Sequence, residues 1–225
     1  MAQSPSPFVR EQSADAGLSI STHRVLRNTY ALLGMTLLFS AAMAAVTMAL
    51  DISRMAALGM SIGGLVMLFV VNRLADSSKG LIAVFVFTGL LGGALGPMLN
   101  SYMQLANGPS LIMQALGGTA IVFFSLSAYV LTTKKDFSFM GGFLMVGMIV
   151  ALIASVALIF FHAPAAQMAL SAGIVLLMSG FILFDTSRII HGGETNYIRA
   201  TVSLYLDIYN LFIHLLALLG MSSDD

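Results

Sequence analysis

No charged side chain interrupts residues 80–133, which read GLIAVFVFTGLLGGALGPMLNSYMQLANGPSLIMQALGGTAIVFFSLSAYVLTT. A membrane-spanning helix needs about 20 predominantly apolar residues, so this stretch is long enough for two. Polar and turn-forming residues divide it at 100–110, where Asn107, Gly108 and Pro109 are adjacent. The stretch therefore predicts two membrane-spanning helices joined by a short turn.

The rest of the chain divides in the same way. Residues 28–50 and 55–72 predict the first and second spans, each followed by charged residues. Residues 137–184 are again uncharged and divide near residues 162–164, which predicts the fifth and sixth spans. The seventh span is expected at about 197–220. We therefore predict an all-α integral membrane protein with seven transmembrane helices.

The composition supports this class and excludes others. Hydrophobic residues make up 58% of the 225 residues and charged residues only 9%, against about 25% charged in a soluble domain. The net charge is zero, so we expect no nucleic-acid partner. The chain has no cysteine, which excludes disulfides, cysteine-ligated metals and thiol catalysis.

The distribution of lysine and arginine predicts the orientation. With seven spans, only Arg54 falls on one side, and the other nine basic residues fall on the opposite, cytoplasmic side. This predicts three parts: a cytoplasmic and mostly disordered tail at 1–27, a membrane domain at 28–220, and a short outer tail at 221–225. The nine basic residues are Arg10, Arg24, Arg27, Arg73, Lys79, Lys134, Lys135, Arg188 and Arg199.

Two aspartates, Asp185 and Asp207, interrupt the sixth and seventh spans. A carboxylate at the centre of a membrane helix costs roughly 2.5–3.5 kcal/mol, so such residues usually have a function. The two helices form a hairpin, so we expect the carboxyls to meet in its cytoplasmic half. Two close carboxyls can share one proton and repel when both are charged, which makes them a candidate pH-sensitive gate. Arg188 and Arg73 are candidate partners; alternatively, each aspartate only bonds a neighbouring helix.

Polar residues of the seventh span recur at helical spacing and form one stripe. Such a stripe inside a membrane must face other helices or water. For His214, an extension of a polar pathway and a single bond to a neighbour both remain open. The stripe consists of Asn196, Arg199, Ser203, Asp207, Asn210 and His214.

Four segments are distinctive: IIHGGETNYIRATVSLY at 189–205, STHRVLRNTY at 21–30, GGTAIVFF at 117–124 and LGGALGP at 91–97. Together they resemble the Bax inhibitor-1 family, and in particular its bacterial YccA branch. The resemblance covers nearly the whole chain and implies seven helices, with a central last helix enclosed by the other six.

The family resemblance also implies a calcium leak controlled by an aspartate pair between the sixth and seventh helices. By motif, Asp185 corresponds to the first aspartate and Asp207 to the second. Arg73 corresponds to the arginine that engages the pair. A family glutamate has no counterpart here, because residues 55–72 contain no acid. Ca²⁺ is then the transported ion, and the sequence leaves open whether the protein holds a bound metal.

The YccA branch implies a regulatory role at the bacterial inner membrane. Its members bind the membrane protease FtsH, modulate its activity and are engaged through a cytoplasmic N-terminal tail. The polar tail 1–27 is compatible with this role. The presence of both aspartates favours a leak as well, and one bundle can do both. The oligomeric state stays open.

An intramembrane aspartyl protease is a third alternative, since such enzymes also place aspartates on two adjacent helices. Those enzymes resemble one another through a Gly-x-Gly-Asp motif, but Leu204, Tyr205 and Leu206 precede Asp207, and no Pro-Ala-Leu motif follows. We therefore expect no enzymatic activity and no cofactor.

Overall fold

The computed structural model describes residues 7–161 and 163–222, with side chains from Thr22 onward. This part of the chain is helical and contains eight α-helices and one 3₁₀ turn, Ser138–Met140. The helices are α1 (Pro7–Ala49), α2 (Arg54–Leu74), α3 (Lys79–Ala94), α4 (Gly96–Met103), α5 (Gly108–Thr133), α6 (Gly141–Phe160), α7 (Pro164–Ile190) and α8 (Tyr197–Met221).

Seven segments are long and apolar enough to cross a membrane, which confirms the predicted number of spans. The third, Lys79–Met103, consists of two helices, because α3 ends at Ala94 and α4 begins at Gly96. Pro97 lies in the first turn of α4, where its missing N–H group costs no hydrogen bond. The proline therefore interrupts this span without ending it.

Helix α1 begins earlier than the sequence predicts. We expected a mostly disordered tail as far as Arg27, whereas the helix continues back to Pro7. Extending an existing helix adds one hydrogen bond for each residue fixed and avoids the cost of nucleation. Residues 1–6, the predicted break at His162 and residues 223–225 lie outside the described part.

Helix α8 is the centre of the bundle, as the family resemblance implies. It packs against α1, α2, α3, α5 and α7, and the side chains of Leu204, Leu211 and Leu216 are completely buried. Helix α6 instead packs mainly against α7 and the 3₁₀ turn. Five of the other six spans therefore contact α8, with α1, α5 and α7 packed most closely against it, and α6 lies on the outside.

Three connections meet at one end of the bundle, which we call the basic end. The side-chain amide of Asn196 donates to the carbonyl of Ala75 at 2.9 Å, and Arg199 contacts Asp76 at 2.6 Å. Nε2 of His191 lies 3.1 Å from the carbonyl oxygen of Lys134. The α2–α3, α5–α6 and α7–α8 connections therefore lie together, next to the α8 N-terminus.

Candidate functional site

Asp185 of α7 and Asp207 of α8 lie against each other in the hairpin of the last two helices. Their carboxyl groups are within hydrogen-bonding reach, and the two residues are only 9% and 5% exposed. Among the described residues, no donor reaches Oδ2 of Asp207, although that atom is buried. A buried polar atom without a partner costs free energy, so the site needs a proton, a water molecule or an ion to satisfy it.

The two carboxyls open into a crevice of about 240 Å³ between α6, α7 and α8. Ser203 and Asn210 add the other polar side chains, and the rest of the lining is apolar: Met148, Met178, Phe181 and Leu206. Ca²⁺ prefers six to eight oxygen ligands. Within the described residues, no group of three acidic or histidine side chains could hold a metal. The crevice therefore suits a proton or a passing ion better than a tightly bound one.

Arg188 reaches the pair, whereas Arg73 does not. Nη1 of Arg188 lies 3.7 Å from Oδ1 of Asp185, and its other nitrogen lies 4.0 Å from Glu194. Arg73 is exposed near the end of α2 and forms no ion pair with any described side chain. The interactions of this end of α2 with α8 are made by Asp76 instead, which contacts both Asn196 and Arg199.

The polar stripe of α8 serves three separate purposes. Asn196 caps the helix by accepting the backbone N–H groups of Ile198 and Arg199. Ser203 and Asn210 line the crevice, as the sequence predicts for a stripe that faces the bundle. Nδ1 of His214 lies 3.2 Å from the Ser171 hydroxyl of α7. The middle of the stripe therefore lines the crevice, whereas Asn196 and His214 at its two ends make local hydrogen bonds.

Sequence reasoning missed the polar contacts on the other side of α8. Tyr205 is fully buried, and its hydroxyl lies 2.7 Å from the Ser40 hydroxyl and donates to the carbonyl of Thr88 at 3.2 Å. Tyr209 donates to the carbonyl of Leu91 at 3.2 Å. The recurrence of hydroxyl-bearing residues at 201, 205 and 209, one helical turn apart, is the signal that could have revealed this face.

A glycine lets α1 approach α3 closely enough for these contacts. A Cβ atom added to Gly92 would clash with the carbonyl and hydroxyl oxygens of Ser40. Small residues allow this kind of backbone approach between membrane helices. Gly92 therefore holds Ser40 where its hydroxyl meets Tyr205.

The connection between α5 and α6 is anchored close to the aspartate pair. The Ser187 hydroxyl, two residues after Asp185, accepts the backbone N–H of Phe137 at 2.9 Å. Asp136 accepts the backbone N–H of Ser138 at 2.8 Å, and this bond holds the pKa of Asp136 below its usual value. Asp136 lies outside the spans and stays ionised near neutral pH.

Comparisons with known proteins agree with this architecture. A Vibrio cholerae protein described as an uncharacterized membrane protein is 51% identical over 219 residues, which cover 97% of each chain. The Escherichia coli K12 protein named "Modulator of FtsH protease YccA" is 52% identical over 213 residues, covering 95% of this chain and 97% of that one. A protein of E. coli O6:H1 with the same identity and coverage is named "Inner membrane protein YccA".

The family described as inhibitor of apoptosis-promoting Bax1 matches residues 22–224, which include every span and both aspartates. The matched region, the seven spans and the identities to these relatives agree with one another. This chain is therefore a membrane protein of the Bax inhibitor-1 family.

Proposed function

We propose that this protein resides in the bacterial inner membrane and modulates an FtsH-type membrane protease. The observation that carries the proposal is the 52% identity to the E. coli protein named as a modulator of FtsH, which extends over 95% of this chain. A likeness of this extent includes the spans and the connections between them. A shared partner is therefore the simplest account of it.

The basic end is then the cytoplasmic side. Nine of the ten lysines and arginines belong to this side, and basic residues accumulate in the cytoplasmic connections of membrane proteins. The N-terminus is then cytoplasmic and the C-terminus lies outside. The described part of helix α1 begins at Pro7, before the span Thr22–Ala49, so its first turns lie on this cytoplasmic side.

The test is co-purification in mild detergent with a proteolytically inactive FtsH-type protease as bait. We expect the full chain to be retained and to slow degradation of another membrane substrate by the active protease. Removal of residues 2–20 should change the turnover of the chain itself. The absence of the protease from pull-downs, together with unchanged turnover after truncation, would refute the proposal.

A second candidate function is a pH-sensitive calcium leak, and the aspartate pair favours it. Asp185 and Asp207 face each other in a crevice, and one carboxylate oxygen has no donor among the described residues. When the pair shares a proton, it bonds α7 to α8. When both carboxyls are charged, they repel across a medium of low dielectric and push the helices apart. Arg188 is close enough to moderate this repulsion.

The test of the leak is calcium flux into proteoliposomes between about pH 5 and 8, with Asp185→Asn and Asp207→Asn beside the unchanged chain. We expect each variant to alter the pH dependence, because an amide does not titrate. Asp51→Asn is a matched control: Asp51 is exposed, has a positive φ of 46° that asparagine tolerates, and lies away from the pair. An unchanged profile in both pair variants rules out the gate.

Neither proposed function requires catalysis. The residues before Asp185 and Asp207 do not form the Gly-x-Gly-Asp pattern of intramembrane aspartyl proteases. We therefore propose that the protein is not an enzyme and needs no cofactor. Purified protein that cleaves a membrane substrate in the absence of any protease would overturn this.

A further inference from the structure

A cleft at the basic end lies between α1 and α5, on a different side of the bundle from the aspartate pair. It consists of two adjoining hollows of about 640 and 500 Å³, which share His23, Leu26 and Leu131. Helices α1 and α5 both pack against α8 and α7 rather than closely against each other. The cleft is therefore open sideways, toward the surrounding lipid.

The cleft is basic. Arg24 and Arg27 are three residues apart and contribute to the first hollow, and Lys134 contributes to the second. None of the three forms an ion pair with a described side chain, and no carboxylate is among the lining side chains from Thr22 onward. His23 and His191 add two imidazoles. This arrangement offers an anion up to three positive charges, with no acid among the described lining residues.

The walls beneath these cations are apolar. Leu26 and Leu131 line both hollows, and Tyr30 closes the deep side, where its ring lies 5.9 Å from the ring of Phe123 on α5. Farther along the same two helices, Met35 and Phe124 are exposed to the hydrocarbon. A soluble anion gains nothing from such walls, whereas a lipid places its phosphate at the cations and its acyl chains along the helices.

We propose that the cleft between α1 and α5 binds an anionic phospholipid, with the headgroup phosphate held by Arg24, Arg27 and Lys134. Guanidinium groups match phosphate oxygens in a bidentate geometry, and basic pockets between membrane helices on the cytoplasmic side are suited to lipid headgroups. The bound lipid bridges α1 and α5, which otherwise meet mainly through α8. It thereby closes the side of the bundle that the protein leaves open.

The experiment measures phosphatidylglycerol binding to the full detergent-solubilised chain by native mass spectrometry. The test variant is Arg24→Gln/Arg27→Gln. The matched control is Arg73→Gln/Lys79→Gln, which removes two exposed cations from the same end but outside the cleft. All four side chains are exposed, so both variants should fold, which size-exclusion chromatography and circular dichroism check.

We expect the test variant to bind phosphatidylglycerol about thirtyfold more weakly, since each of the two cations near a membrane surface contributes about five- to sixfold. The control should stay within about threefold, because its charges are screened from the cleft. The zwitterionic phosphatidylethanolamine should bind weakly to all forms. Equal weakening in both variants would indicate diffuse surface attraction, and competition by inorganic phosphate at equal concentration would indicate a soluble anion. Either result overturns the proposal.

Discussion

The two polar faces of α8 differ in how completely their groups are paired. On the face toward α1 and α3, the hydroxyls of Thr201, Tyr205 and Tyr209 each bond a carbonyl or hydroxyl of a neighbouring helix. On the face toward α7, the Asp207 carboxyl meets another carboxyl, and its Oδ2 atom has no donor among the described residues. The same helix therefore carries a satisfied polar face and an unsatisfied one.

This difference distinguishes polar groups that stabilise the fold from polar groups that serve a function. A satisfied hydroxyl in a membrane contributes to the packing of helices, because leaving its partner alone in hydrocarbon is costly. An unsatisfied carboxyl costs free energy and is kept only if it does something else, such as binding a proton or an ion. The comparison therefore predicts large losses of stability from changes at Tyr205 and none from neutralising Asp207.

The largest expected effect is that of Tyr205→Ala. The residue is fully buried, packs its ring 5.6 Å from that of Phe87 and has two hydrogen-bonding partners. We expect the free energy of unfolding to fall by about 3–5 kcal/mol, the usual cost of deleting a buried aromatic ring. Reversible unfolding in mixed detergent measures this. Tyr129→Ala, at a site 42% exposed, is the control and should have a small effect.

A smaller effect is expected from Tyr205→Phe, which removes only the hydroxyl. The Ser40 hydroxyl then loses its hydrogen-bonding partner, which lies 165 residues away in the sequence. This loss should lower the free energy of unfolding by about 1 kcal/mol. A double-mutant cycle with Ser40→Ala isolates this bond, because two residues that share one hydrogen bond should have non-additive effects. Additive losses would mean that this bond does not couple α1 to α8.

Asp207→Asn should leave stability unchanged or raise it. The amide cannot become charged and can donate to Asp185, so the unsatisfied face becomes satisfied. The same unfolding measurement checks this, while the flux assay should report an altered pH dependence. A loss of stability of more than about 2 kcal/mol would contradict this prediction, since it would mean that Asp207 contributes to the stability of the fold.

The smallest effect is expected from Asp136→Asn, in the connection beside the pair. Hydrogen bonding by Ser138 lowers the pKa of Asp136 from its ordinary value of 3.8, so any stability that its charge contributes is present above that value and lost as the pH falls below it. Between about pH 5 and 8 the group does not titrate. The variant should therefore keep the pH profile of the calcium flux. A shifted profile would mean that the group responsible for the pH dependence is not one of the two paired aspartates.

The spans and the meeting of the two aspartates were predictable because both depend on local sequence. The length of an apolar stretch decides whether it crosses the membrane, and a short connection after α7 makes the last two helices a hairpin. Asp185 and Asp207 lie on either side of that turn, so their approach needs no knowledge of the other helices.

The remaining contacts depend on distant parts of the chain. Tyrosine is common both in cores and at membrane interfaces, so nothing local to Tyr205 indicates that Ser40 is its partner. At the end of α2, Arg73 and Asp76 lie three residues apart, and only the packed connection decides that Asp76 turns toward Arg199. The start of α1 at Pro7 likewise depends on the continuity of a helix and not on local polarity.

The central position of α8 also has a consequence for biogenesis. The helix that fills the middle of the bundle is the last to be synthesised, so the preceding spans enter the membrane around a place that is still vacant. The spans that contact α8 cannot bury their inward faces against this helix until translation is nearly complete. A chain truncated before Tyr197 therefore lacks the shared contact surface of five spans, and a quality-control protease would meet it as an incompletely assembled protein.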